Sequence, residues 1–219
     1  MMVLIDNPWF YFCIAFAVML LATWLMGMQG AYLFTKDPLR RKFSMMEMEF
    51  PDNKSDLSYL VRGIYQLPDE AAKTIKALRI QLLVDYLLFI PATYGGIFIL
   101  CMATASKLTS TVGIYFFTIV AWGQCLCFAL DYIENTYFWI IIGNRDLPVP
   151  AGDGTFKLME VLEALKWGFS LVGGIGGFSA IVYFWLSGEY VASSLQFIVV
   201  FFAEIGAFVL LQALSRKKK

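Results

Sequence analysis

Histidine is absent from the 219-residue chain. Its absence removes the commonest general base, the imidazole ligands of zinc and haem, and the His clusters of membrane di-iron enzymes. Charge is scarce as well. Asp, Glu, Lys and Arg make up 16% of the residues and cancel to a net charge of zero, against about 25% charged residues in a soluble domain. Nothing in that balance points to nucleic acid. The four cysteines, Cys13, Cys101, Cys125 and Cys127, all fall inside apolar blocks. The Cys-Leu-Cys run at 125–127 lacks the two-residue gap of a redox or zinc pair, so these residues read as buried thiols that pack as small hydrophobes. No metal site and no cofactor is expected. No internal repeat is evident, which leaves an inverted-repeat transporter without support.

What the chain has in abundance is apolar length. Hydrophobic residues make up 59% of it, and they are gathered into blocks. A bilayer core needs about 20 residues of apolar helix, and five blocks meet that requirement: Trp9–Phe34, Ile80–Ala103, Thr111–Leu130 with a more polar continuation to Gly143, Lys166–Leu186 preceded by helical turns from Phe156, and Tyr190–Leu214. The first block carries Asp6 ahead of it, lacks a basic n-region and exceeds the length of a signal-peptide core. It reads as a retained span. The expectation is an all-α polytopic membrane protein of about five transmembrane helices: a first span (1–34), an amphipathic cytoplasmic loop region (35–79) and a four-helix transmembrane region with a Lys-rich tail (80–219).

Orientation follows from Lys and Arg, which cytoplasmic loops retain. The first loop holds Lys36, Arg40, Arg41, Lys42, Lys54, Arg62, Lys73, Lys76 and Arg79. Arg145, Lys157 and Lys166 flank the third loop, and Arg216 to Lys219 form the tail. With five spans, 16 of the 17 basic residues share one side and only Lys107 lies opposite. The N-terminus is therefore expected outside and the C-terminus in the cytoplasm.

Within the first loop, Ser55 is a candidate cap for a short helix whose Leu57, Leu60, Val61 and Ile64 share one face. Pro68-Asp69-Glu70 opens a second helix with acids in its first turn, as its dipole favours. Lys73, Lys76 and Arg79 recur every three residues along that helix. They are candidates for binding anionic headgroups, with a specific phosphate-ligand site as the other reading. Membrane lipids are the expected partners, with a second membrane protein or another copy of the chain also open.

Ionisable residues at membrane depth cost about 2.5–3.5 kcal/mol each on insertion scales and normally face partners, water or a cavity. Asp85 lies two turns into the second span. Asp131, Glu134 and Asn135 share one face of the third helix at i, i+3 and i+4. Glu160, Glu163 and Lys166 are spaced by three on the fourth helix, with Trp167 beside Lys166. Glu204 lies near the middle of the fifth span. Lys166 is the natural counter-ion, and Glu160 and Glu163 are read as an ordinary solvated helix face. The remaining polar residues form either an interhelical structural network or a ligand, ion or proton site. Pro91 removes one helical hydrogen bond and crowds the carbonyl of Leu87, so a kink is expected beyond Asp85. The glycines of Gly173-Gly174-Ile175-Gly176-Gly177 permit close helix approach.

The stretches Asp85-Tyr-Leu-Leu-Phe89-Ile-Pro-Ala-Thr-Tyr94, Asp131-Tyr-Ile-Glu134-Asn135 and Lys166-Trp167 resemble a family of uncharacterised bacterial multi-pass membrane proteins, as does the polar run Phe43-Ser-Met-Met-Glu47-Met-Glu49-Phe50 ahead of them. The resemblance covers residues 43–186. It implies that these positions, Tyr94 and Trp167 included, matter to the protein, and that it resides in the bacterial inner membrane; it implies no activity. Three functions stay open. The first is a non-catalytic component binding a lipid-like ligand or membrane partner through a cytoplasm-facing polar cluster. The second is a proton-, ion- or solute-translocating protein. The third is a lipid-modifying enzyme, for which no recognisable nucleophile or metal motif is present.

Overall fold

A computed structural model describes residues 7–36, 39–143, 153–188 and 195–217. The chain is overwhelmingly helical, and five stretches of helix are long and apolar enough to cross a membrane: Pro8–Tyr32, Asp69–Lys107, Thr111–Gly143, Phe156–Leu186 and Gln196–Ser215. These correspond to the five expected blocks. Arg145, Lys218, Lys219 and the expected start of the fifth span at Tyr190 lie outside the described residues. In order, the helices are α1 (Pro8–Gln29), α2 (Met45–Glu49), α3 (Lys54–Tyr65), α4 (Pro68–Val84), α5 (Ile90–Lys107), α6 (Thr111–Gly143), α7 (Asp153–Leu186) and α8 (Leu195–Lys217).

Two compact units divide the chain, and α6 and α7 contribute residues to both. One contains residues 1–24, 87–129 and 167–219; the other contains 25–86 and 130–166.

The first unit packs through close approach at small residues, as membrane helices do, beside apolar contacts around Trp9, Phe12, Leu100 and Ile181. A Cβ added at Gly173 would lie 2.7 Å from Ile97 Cγ2, and one at Gly177 would lie 3.1 Å from Leu100 Cβ. Bare backbone therefore lets α7 approach α5 closely. The same two carbonyls accept hydrogen bonds from α5, Gly173 from the Cys101 thiol and Gly177 from the Thr104 hydroxyl. Phe12, Phe16, Phe178 and Phe201 form an aromatic cluster, with Phe16 and Phe201 centroids 4.6 Å apart. Outside these contacts, Ile119, Leu126, Val199, Phe202 and Leu210 are exposed, as befits side chains solvated by lipid.

The second unit is built like a small soluble domain. Beyond the expected helices it contains a two-stranded antiparallel sheet, β1 (Phe34–Lys36) with β2 (Arg40–Lys42), paired Phe34 to Lys42, Thr35 to Arg41 and Lys36 to Arg40. Phe34 therefore belongs to a strand and not to the first span. After the α1 helix, a 3-10 turn at Gly30–Tyr32 releases the backbone. Thr74 then anchors it, donating to the Tyr32 carbonyl at 2.8 Å. Helix α2 is preceded by its N-cap Ser44, whose N–H donates to Glu47 Oε1 at 3.0 Å, half of a capping box. Helix α3 is capped by Asn53, which accepts from the Asp56 N–H at 3.1 Å. Ser55, the expected cap, instead lies in the first turn and donates its hydroxyl to Asn53. The spacing of Leu57, Leu60, Val61 and Ile64 works as expected, and all four are buried. They join Leu33, Phe43, Met48, Leu78 and Leu82 in one core with Phe138, Ile141 and Ile142 of α6. Each such burial contributes about 1.5–3 kcal/mol.

Between α4 and α5 the helix widens into one π-helical turn at Asp85–Phe89. The widening falls where Pro91 was expected to disturb the ladder: its ring occupies space that the Leu87 carbonyl needs, and it offers no N–H to that oxygen.

Gly63 marks the closest approach of α3 to β1. A Cβ there would lie 2.3 Å from Thr35 Oγ1 and 2.6 Å from the Lys36 carbonyl oxygen. Gly63→Ala should cost about 1–3 kcal/mol through forced backbone movement, whereas Gly30→Ala, with open space around it, should not. Thermal unfolding of the two variants in the same detergent checks the difference.

Candidate functional site

Helices α6 and α7 each present a pair of polar residues at i, i+3 spacing, which places both members on one helix face. On α6 these are Asp131 and Glu134; on α7 they are Glu163 and Lys166. The four side chains meet within the second unit. Lys166 Nζ lies 2.5 Å from Glu134 Oε2 and 2.8 Å from Glu163 Oε1, and it also pairs with Asp131. The lysine is 5% exposed and Glu163 is 6% exposed, while Asp131 and Glu134 are partly buried. An ammonium has three N–H donors, and three carboxylates take them up.

Beside this cluster, Asn135 Nδ2 donates to Asp85 Oδ2 at 2.5 Å. Asn135 is buried, one residue beyond Glu134 on the same helix. Tyr86 and Tyr132 lock the pairing of the two helices reciprocally. Tyr132 donates its hydroxyl to the Tyr86 carbonyl at 2.7 Å, Tyr86 donates to the Tyr132 carbonyl at 3.1 Å, and the rings meet edge to face.

The expectation is corrected at one position. Glu163 is not part of a solvated face with Glu160: Glu160 is exposed, but Glu163 is turned inward onto Lys166. Spacing of three residues carried this signal, because Glu163 and Lys166 necessarily share a face. Reading Glu160 and Glu163 as a pair obscured it. A second residue was missed as a participant. Glu49, the last residue of α2, is half-buried, and burial raises its pKa to about 8. The Lys166 charge pulls it the other way, while Glu163, Asp85 and Asp131 reinforce the rise. No periodicity in the loop could have placed it there.

Tyr94, Trp167 and Glu204 belong to the first unit. Tyr94 is buried, Trp167 is partly exposed, and Glu204 Oε2 is buried without a hydrogen-bond donor. Lys73, Lys76 and Arg79 lie on the exposed face of α4, opposite the buried Thr74, Ala77 and Leu78. The Arg79 guanidinium sits 5.5 Å from the centroid of the Trp139 ring.

Two cavities adjoin the cluster, both inside the second unit. The first, of about 240 Å³, is walled by Leu130, Ile133, Leu158, Met159 and Leu162 and completed by Glu134, Tyr137, Glu163 and Lys166. The second, of about 280 Å³, is lined by Glu49, Asp52, Glu160 and Glu163 together with apolar residues of α2, α3 and α7. Glu163 and Met159 border both. Among the described residues, no group of three or more acidic, Cys or His side chains is arranged to hold a metal ion. The lysine ammonium stands at the centre of the carboxylates instead.

Removing one partner of a buried ion cluster leaves charges uncompensated and costs about 3–5 kcal/mol. Lys166→Met should therefore destabilise the protein by that order, and adding Glu134→Gln and Glu163→Gln should recover most of the loss; thermal unfolding of the single and triple variants measures both. Glu49 gives a pH signature. Because its carboxyl holds its proton more tightly in the folded state, its contribution is fully present below the unfolded value near 4.5 and is lost as pH rises towards about 8. The difference in melting temperature between the native protein and Glu49→Gln should thus grow between pH 5 and 8, in favour of the variant.

No family model, curated protein or solved structure matches the chain.

Proposed function

We propose that the protein binds a lipid-like amphiphile in the cavity between α6 and α7, with the ligand's head at Glu134, Glu163 and Lys166. The supporting observation is the composition of that cavity: aliphatic walls on both helices, closed at one part by a charged cluster. Ligand sites commonly combine a mostly apolar lining with a few convergent polar groups. At about 240 Å³ the cavity is smaller than the roughly 300–1,000 Å³ of a typical enclosed site. It therefore takes a head and the first few methylenes, leaving the rest of the chain among bilayer lipids. Ile133 and Leu158, both exposed, continue the apolar wall outward.

The distribution of Lys and Arg supports a cytoplasmic location for the second unit, with the N-terminus outside. The motif resemblance supports a bacterial inner membrane. Lys73, Lys76 and Arg79 then line up with anionic headgroups at about 1 kcal/mol each. The cluster favours a binding role over a purely stabilising one. A buried salt bridge is seldom worth more than the apolar residues that could replace it, so stability alone is a poor reason to keep four ionisable groups there.

A proton-carrying role has one observation in its favour: Glu163 borders an acid-lined cavity on one side and the apolar cavity on the other. The lipid-modifying reading has less. Apart from the Tyr137 phenol, no hydroxyl or thiol nucleophile lines either cavity among the described residues.

Native mass spectrometry of the protein purified into nanodiscs with native lipid extract tests the binding reading. A lipid or amphiphile should be retained well above its bulk proportion and should be lost in Leu162→Trp, which fills the cavity, but kept in Glu160→Gln. Retention indistinguishable from bulk lipid would remove the proposal. In liposomes carrying a pH dye, a binding protein leaves an imposed gradient intact, whereas a proton carrier collapses it.

A further inference from the structure

Hydrogen-bond stoichiometry in the apolar cavity restricts the ligand's head. On the protein side, the donors of the ammonium are already used. Lys166 brings three N–H groups, and Asp131, Glu134 and Glu163 accept from it. The acceptors are in surplus. Glu134 Oε1 and Glu163 Oε2 are buried and receive no hydrogen bond, and the Tyr137 hydroxyl is likewise buried without a partner. All three residues line the same cavity, and Glu163 is 6% exposed, so bulk water does not make up the deficit. A buried acceptor left without a donor is costly, and more so when charged.

The charges give the same answer. Three carboxylates surround one ammonium, so the site as a whole is acidic despite its lysine. A phosphate or carboxylate head would bring more acceptors to a place whose ammonium is already taken up, with the Tyr137 O–H as a donor to set against two uncompensated carboxylate oxygens. A head that matches supplies donors and positive charge.

Resting on the amphiphile reading above, we infer that the cavity takes an amphiphile with a primary ammonium head, whose three N–H groups are directed to Glu134 Oε1, Glu163 Oε2 and Tyr137 Oη. Three donors meet three acceptors. A quaternary ammonium carries the charge without the N–H groups and leaves the acceptors unmet. An alcohol carries one donor without the charge. The competing occupant is a single proton between Glu134 and Glu163, whose carboxyl groups lie within hydrogen-bond reach of each other.

Four probes of equal chain length separate these possibilities: dodecylamine, dodecyltrimethylammonium, dodecanol and dodecyl phosphate, each labelled and titrated into nanodiscs with and without the full-length protein. Dodecylamine should bind saturably and at least tenfold more tightly than dodecanol or the quaternary amine, and dodecyl phosphate should show no saturable binding. Glu163→Gln should bring dodecylamine down about tenfold, towards dodecanol. Tyr137→Phe, which removes only the hydroxyl, should give a smaller loss of about threefold. Equal affinity for amine and alcohol, or an amine preference untouched by Glu163→Gln, would overturn the ammonium assignment while leaving the amphiphile reading in place. Tighter binding of dodecyl phosphate would do the same. No saturable binding of any of the four would count against both.

Discussion

An ammonium held away from water among three carboxylates is the interaction on which the second unit is organised. Desolvating Lys166 is costly by several kcal/mol, and only carboxylates in contact with it offset that cost. Asp131 and Glu134 come from one helix, Glu163 and the lysine from another. The contact can form only if α6 and α7 lie side by side at this level. The reciprocal tyrosines Tyr86 and Tyr132 and the Asn135–Asp85 bond hold α6 against the end of α4 in the same way. Helix positions are thus set here by directional polar bonds, where apolar contacts alone would tolerate sliding and rotation.

Elsewhere the two units are each held together by different chemistry. In the first unit lipid is as apolar as any side chain, so burying a leucine gains little. Gly173 and Gly177 are used instead, admitting α5 so closely that thiol and hydroxyl groups reach the α7 carbonyls. In the second unit a segment between the first and second spans folds upon itself with a leucine-rich core of its own, as a water-soluble domain would. The acid-lined cavity falls where that folded segment, through Glu49 and Asp52, meets α7.

The surplus of acceptors is what distinguishes this cluster from a plain ionic clasp. In a clasp, charges and hydrogen bonds balance within the protein. Here the lysine's donors are consumed while Glu134 and Glu163 each keep a buried oxygen with none, beside an apolar cavity open to an occupant. That imbalance has a direction, and it gives the cavity a preference for donors over acceptors.

By itself the sequence determined the apolar helices, because span length is imposed by bilayer thickness, and it determined which residues share a helix face, because 3.6 residues per turn is a local property. Asp131 with Glu134, Glu163 with Lys166, and the apolar stripe of α3 were all legible on that basis. The β1–β2 pairing and the release of Phe34 from the first span depend on contacts from Thr74 and Thr35 and were not legible, while the cap of α3 was decided locally, by Asn53 and not Ser55 reaching the Asp56 N–H. Only the tertiary structure decided that Glu163 turns inward, that Glu49 joins the acidic surroundings of Lys166 and that Asp85 pairs with Asn135. Those outcomes depend on which faces of separate helices meet, and a face carries no record in its own spacing of the partner it will find.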